Sequence, residues 1–367
     1  MTDPRIEQWA NVLVDYSVEV KAGDTVAIVG EVAAELLLRA IYRAVVERGG
    51  FPVLMPALDG AASDLLRLGT DEQLQYVSPL ERIAREEADV LIRVAAASNT
   101  RANAELDPAR QRLHALARAD LMQSFMRRAA EGTLRWTGTL FPTAAYAQDA
   151  DMGTEEFTDF YFKACKLDQA DPIAAWRTVN AEQARLIAWL EDKSEIRVVG
   201  SDTDLVLSYA GRRWNNSDGH RNFPSGEIFT GPIEDSANGH VRFSYPVVTA
   251  GREIEDIRLH FADGAVVDAT AARNEAYLIA MLDSDEGARR LGEFAFGTNY
   301  DITRFCKNIL LDEKIGGTIH LAVGAGYPDT GSTNRSAIHW DMICDVRQGG
   351  RVEVDSKPFL VDGQYVV

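Results

Sequence analysis

Cysteine is scarce in this chain. Cys165, Cys306 and Cys344 are its only thiols, widely spaced and without a CxxC pair, which excludes a disulfide framework and a thiolate-built zinc site. Long apolar runs are missing too: no stretch approaches the roughly 18 residues of a membrane span. The first residues carry Asp3 and Glu7 in place of a basic, then apolar, leader. A cytoplasmic protein without a membrane partner is therefore expected. Positive charge is in deficit, with 38 Lys and Arg against 56 Asp and Glu and a net charge of −18. A nucleic-acid partner, which needs clustered Lys and Arg, is excluded. The same acidity suits solubility and is compatible with a cationic ligand such as a peptide bearing a free α-amine.

What is present is an ordinary globular composition, 46% hydrophobic and 26% charged over 367 residues, long enough for two cores. Thr2 or Asp3 ahead of Pro4 marks a helix start, with Ile6, Trp9, Ala10, Leu13 and Val14 at helical spacing. A strand over 25–29, a helix over 33–48 and a strand over 51–55 follow. Their β-α-β order with fully apolar strands predicts a parallel sheet covered by helices. Gly30-Glu31-Val32-Ala33 at the first turn has one glycine where a phosphate cradle needs several, and an acid where phosphate would sit, so nucleotide binding is not expected. Helices around 71–78 and 80–87, a strand over 89–94, a long helix over 107–130 and a strand over 133–140 continue a doubly wound α/β pattern. The helix from about Gly153 is predicted to bury Phe157, Phe160, Tyr161 and Ala164, and another runs from Pro172 to about Lys193.

Beyond that point helices become rare. Residues 196–200, 204–209, 240–245 and 256–261 alternate as half-buried strands, parted by turn signals such as Asn238-Gly239 and Asp263-Gly264. Helices are expected only at 271–281 and 285–290. The predicted architecture is thus an N-terminal doubly wound parallel-sheet domain, 1–192, and a β-rich α+β domain, 193–367.

The chemistry concentrates at the end of the second domain. In His339-Trp340-Asp341, read as a strand, the imidazole and carboxylate share a face about 6.6 Å apart and Trp340 faces the other way. The segment 318–323 reads as a strand carrying His320, and 292–297 as one in which Glu293 shares a face with Ala295, opposite Phe294 and Phe296. A carboxylate in such apolar surroundings needs a partner. That partner is either a metal or a hydrogen-bonding neighbour, and residue types alone leave both open.

The segments PSGEIFTGP (224–232), LGEFAFGTN (291–299), LDEKIGGTIHLAVGAGYP (311–328) and NRSAIHWDM (334–342) resemble, in order, the signature blocks of the thermophilic aminopeptidase family, the metallopeptidases related to aminopeptidases T and S. The resemblance implies a metal-dependent aminopeptidase acting on peptides with a free N-terminus. It implies a catalytic domain in which Glu227, Glu293, Glu313, His320, His339 and Asp341 bind two divalent ions: zinc, cobalt, manganese or magnesium. Tyr327 matches the family's active-site tyrosine, Glu227 and Glu293 are the candidates for bridging ions and moving protons, and a homodimer enclosing the active sites is implied as well. Lys307 and Asn308, between the second and third blocks, and Asn334, in the fourth, have no assigned role. Relatives of the fold that open hydroxypyridine rings with one ferrous ion offer an alternative in which His320, His339 and Asp341 form the iron site. A catalytically silent scaffold is the other, and it would predict a damaged ligand position; none is seen.

Overall fold

The computed structural model describes residues 3–249 and 252–367. They form two compact units, one comprising Met1–Ala175 with Gly219–Pro224, the other Trp176–Asp218 with Ser225–Val367. The helix Pro172–Leu190 runs across this division. It sends Leu186 and Leu190 into the core of the second unit, so packing divides the chain near the start of that helix, whereas the expected boundary at 192 marks its end.

The first unit is the expected parallel sheet. Its strands lie in the order Phe51–Ala57, Thr25–Glu31, Val90–Ala95, Arg135–Leu140, Asn222–Phe223, all parallel. The chain steps one way from Thr25–Glu31 and then returns past it, the reversal of a doubly wound fold. Asp3 caps the first helix by accepting the Arg5 N–H at 2.9 Å; Thr2, the other predicted cap, lies outside the described residues. The helix Glu35–Glu47 buries Leu37, Leu38, Ile41, Ala44 and Val45 at helical spacing.

Several predicted helices take a different form. The long helix over 107–130 is two, Pro108–Leu116 and Ala119–Ala130. Arg118 leaves helical geometry between them because its guanidinium donates to the carbonyls of Leu74, Tyr76 and His114 and pairs with Glu81. Tertiary hydrogen bonds here outweigh helix propensity. The 71–78 helix shortens to Asp71–Gln75, the 80–87 helix is present as an α-helix, Pro79–Arg82, that continues as a π-helix, Ile83–Glu87, and Ala61–Leu68 is a helix that was not expected. In Thr154–Ala164 the buried face is Phe157, Tyr161, Phe162 and Ala164, with Phe160 only half-buried.

The second unit has two large antiparallel sheets on one core and a two-stranded one, Val247–Thr249 with Arg252–Ile254. Eight strands run in the order Ala265–Thr270, Ile257–Ala262, Asn238–Phe243, Thr203–Ser208, Glu195–Gly200, Arg351–Val354, Lys357–Val361, Gln364–Tyr365. Five run in the order His339–Cys344, Ile319–Gly324, Leu291–Gly297, Glu227–Thr230, Asn215–Ser217. Val198, Leu205, Phe243 and Val352 from the first sheet join Ile228, Phe294, Phe296, Leu321, Trp340 and Met342 from the second in a single hydrophobic cluster. The helix expected at 285–290 is a set of turns. The Asp285 carboxylate takes the N–H groups of Gly287, Ala288 and Ala337, offering the backbone an alternative to helical bonds. The helix predicted over 271–281 spans Glu275–Leu282, its start delayed by Asn274 in the left-handed region at φ 58°.

Candidate metal centre

The five-stranded sheet has two faces with different jobs. Directly opposed residues of an antiparallel sheet share a face, as do residues i and i+2. Register pairs Glu293 with Ala322 and Ala322 with Asp341, Ala295 with His320, Gly297 with Glu227, and Gly324 with His339. One face therefore carries Glu227, Glu293, His320, His339 and Asp341 around the small residues Ala295, Ala322, Gly297 and Gly324. Phe294, Phe296, Leu321, Trp340 and Met342, on the other face, anchor it to the core. This explains why every residue of Leu291–Gly297 is buried, polar Glu293 included.

All six predicted ligands come together. Glu227, Glu313 and His320 form one group and Glu293, His339 and Asp341 another, with one candidate ligand atom of each residue within 4.8 Å of the others in its group. Glu227 opens the strand Glu227–Thr230. Two glycines are required nearby. At Gly226, φ is +118° and a Cβ would lie 2.6 Å from the Cβ of Asn299; at Gly324, φ is +101° and a Cβ would lie 2.1 Å from the Ile338 carbonyl oxygen. The first seats the turn that delivers Glu227, the second the turn beside His339.

Both imidazoles are oriented by backbone. His320 Nδ1 lies 3.0 Å from the Glu313 carbonyl oxygen and His339 Nδ1 lies 2.7 Å from that of Ala325. Nδ1 donates in each case, which turns Nε2 toward the acids, the arrangement by which a second-shell acceptor fixes a metal-binding histidine. His320 Nε2 is 3.5 Å from Glu293 Oε1 and 3.7 Å from Glu227 Oε2; His339 Nε2 is 3.1 Å from Glu293 Oε2 and 3.4 Å from Asp341 Oδ1. Glu293 thus presents one oxygen to each ring. Burial works to raise its carboxyl, but the two rings outweigh burial and bring it down to about 2. Burial likewise works to lower both histidines, yet the carboxylates prevail and hold His320 up at about 9 and His339 at about 11. Burial, with Glu227 and Asp341 close by, pushes Glu313 up to about 7.

Two carboxylate oxygens, Glu227 Oε2 and Asp341 Oδ1, are buried with no hydrogen-bond partner. An orphaned buried oxygen costs about 1–3 kcal/mol, more when charged, so it needs an explanation. Four carboxylates and two imidazole nitrogens with unfilled acceptor positions fit one or two divalent cations, and no thiolate restricts the choice of metal.

Residues 2–365 match the thermophilic metalloprotease (M29) family. The chain belongs to that family. It is 29% identical to aminopeptidase 2 of Geobacillus stearothermophilus over 381 aligned positions, covering 93% of this chain and 92% of the relative. It is 34% identical to aminopeptidase T of Thermus thermophilus over 182 residues, 45% of each chain. Wild-type AmpT from Thermus thermophilus superposes with a TM-score of 0.85 at 25% identity, over 99% of both chains. The 2,5-dihydroxypyridine dioxygenase of Pseudomonas putida KT2440 shares the fold alone, with a TM-score of 0.57 at 14% identity over 100% of this chain and 98% of that one.

Two buried charged residues that the sequence did not single out, Lys314 and Asp312, lie beside the candidate ligands of this metalloprotease. Lys314 is completely buried, with Nζ 3.4 Å from Glu227 Oε1 and in contact with Glu313 Oε1. Burial would lower its ammonium, but Glu227 and Glu313 hold it raised. In LDEKIGG it reads as an ordinary charged turn residue, and nothing local signals burial. Asp312, 1% exposed, accepts the N–H groups of Cys306 at 2.6 Å and Asn308 at 2.7 Å. Tyr327 follows the Gly324 turn. Its ring centroid lies 5.0 Å from that of His339 and 5.3 Å from that of Phe229, and the residue is 37% exposed. Burial, then the Glu293 and Asp341 charges, raise its phenol.

Proposed function

We propose that Glu227, Glu313 and His320 hold one divalent ion, that Glu293, His339 and Asp341 hold a second, and that Glu293 is shared between them. The protein is a metallo-aminopeptidase, and these residues are its active centre. The observation that carries the reading is the pair of buried oxygens that accept no hydrogen bond, Glu227 Oε2 and Asp341 Oδ1, each 3.4–3.7 Å from an imidazole Nε2 whose ring's other nitrogen is already committed to backbone. The two imidazoles fall in different groups of three, which favours two ions over the single iron of a two-histidine, one-carboxylate triad. Bound divalent ions supply a Lewis acid for the first peptide carbonyl and lower the pKa of the attacking water.

The chain's own side chains do the rest. Because its pKa is raised, Tyr327 stays protonated at neutral pH and donates to the carbonyl oxygen as that oxygen becomes negative. A site carboxylate, Glu227 or Glu293, takes the water's proton and passes it to the leaving amine. Four carboxylates, the Lys314 ammonium and two dications leave one net positive charge, which suits a developing oxyanion.

The substrate is a peptide with a free N-terminus, and the active species is a homodimer whose enclosure of the site keeps out internal peptide bonds. Its place is the cytoplasm, where the buried thiols of Cys165, Cys306 and Cys344 remain reduced. Zinc- or cobalt-reloaded protein should release only N-terminal residues from short peptides, lose that activity in chelator, and elute at twice the chain mass by light scattering. Internal cleavage, or release that persists in chelator, would contradict this.

A further inference from the structure

Lys314 brings a permanent positive charge into the candidate metal centre, where it has to share carboxylates with any ion. Its Nζ is 3.4 Å from Glu227 Oε1 and in contact with Glu313 Oε1. That leaves Glu227 Oε2, which accepts no hydrogen bond and lies 3.7 Å from His320 Nε2. Glu227 is thus divided, with an ammonium on one oxygen and an open ligand position on the other. The second group of three has no such cation. Among the described residues, Glu293 and Asp341 pair only with imidazoles. Lys307 lines the same pocket as Asp341, but its Nζ is 3.3 Å from Glu253 Oε1, so its charge is already matched.

The ammonium has no room to step aside. The Lys314 side chain is 0% exposed. Its backbone is tied as well: the N–H donates to the Leu311 carbonyl at 3.0 Å, and the carbonyl accepts the Asn299 N–H at 3.0 Å. The neighbouring strand is packed closely against it, so that a Cβ on Gly297 would lie 3.1 Å from the Lys314 carbonyl carbon. A lysine that only stood in for an absent ion would need to swing its flexible four-carbon stem away on loading. Here that stem is enclosed, and it has no path to solvent without opening the turn. The ammonium and an ion therefore hold Glu227 and Glu313 together, and like charges at that range weaken each other's binding.

We propose that Lys314 is a positioning residue and a resident third cation of the centre. It fixes which oxygens of Glu227 and Glu313 face the ions, weakens the ion held by Glu227, Glu313 and His320, and keeps the loaded centre positive toward a developing oxyanion. This role rests on the two-ion reading, and the test separates the two. Zinc affinities of stripped wild type and Lys314→Met are measured by calorimetric titration against a competing chelator. The same samples, once loaded, give kcat and KM for release of an N-terminal residue from a short peptide. In Lys314→Met one ion should bind at least about tenfold tighter and the other within about threefold of wild type. Four carboxylates against two dications then leave no net charge, so kcat should fall about tenfold while KM stays within about threefold. A lysine that merely props the turn predicts looser ions. Looser binding of either ion, or an undiminished kcat, therefore overturns the role. A zinc-loaded wild-type crystal tests it without any variant: Nζ should remain within about 4 Å of both carboxylates, and its withdrawal overturns the role while leaving the two ions in place. A single ion-binding step in wild type overturns the two-ion reading and the role of Lys314 with it.

Discussion

Replacing Lys314 by methionine removes the one ammonium among the candidate ligands with little change in volume. Lys314 is 0% exposed and pairs with both Glu227 and Glu313. Removing one partner of a buried ion pair costs about 3–5 kcal/mol, because the other charge stays buried and alone. Glu313, already pushed up to about 7, can take a proton and relieve part of this at neutral pH, so the lower end, about 3 kcal/mol, applies. For a unit of this size that corresponds to a fall of about 6–12 °C in melting temperature in chelator-treated protein. With divalent ions bound, the same carboxylates have another cation, and the fall should shrink to less than half. Scanning calorimetry of wild type and Lys314→Met, each with chelator and with added zinc, reads all four values. An equal fall in both conditions, or none in chelator, would show that Lys314 and the ions do not share the carboxylates.

Tyr327→Phe should keep the wild-type ion content and KM but lower kcat by about 10²–10³-fold, the usual loss of an oxyanion donor; steady-state kinetics with metal analysis checks both. His320 and His339, held at about 9 and 11 without ions, carry protons at pH 7 that must leave when Nε2 becomes a ligand. Ion loading should therefore release about two protons per chain, read as a calorimetric heat that changes with buffer ionisation enthalpy; a buffer-independent heat would contradict it. Gly226→Ala forces a Cβ to 2.6 Å from Asn299 Cβ at a φ of +118°. It should cost about 1–3 kcal/mol from the backbone alone and weaken ion retention by displacing Glu227, as denaturant melts and equilibrium dialysis would show.

The strands that build the centre were legible because their alternation is strong. His339 and Asp341 share a face with Trp340 opposite, and Glu293 sits among phenylalanines that point to the core, as the two-residue period requires. Glu227 was not legible as a strand residue. Its strand is four residues long and depends on pairing with Leu291–Gly297, a sequence-distant partner. Lys314 and Asp312 were hidden for a related reason: charged residues in a turn read as solvated, and only tertiary closure buries them. The same limit produced the errors in the helices. Arg118 and Asp285 divert the backbone through bonds to distant groups, so helix-forming composition at 107–130 and 285–290 did not decide the outcome.

Six side chains holding two ions through a shared Glu293 is the arrangement proposed for this centre. Metal analysis by mass spectrometry of stripped protein reloaded with zinc or cobalt and freed of excess tests it directly, with Glu293→Ala alongside and release of N-terminal residues measured on the same samples. Two ions per chain with restored activity are expected in the wild type, and the loss of at least one ion and of activity in the variant. One ion per chain in active wild type, or two ions retained by Glu293→Ala, would contradict it.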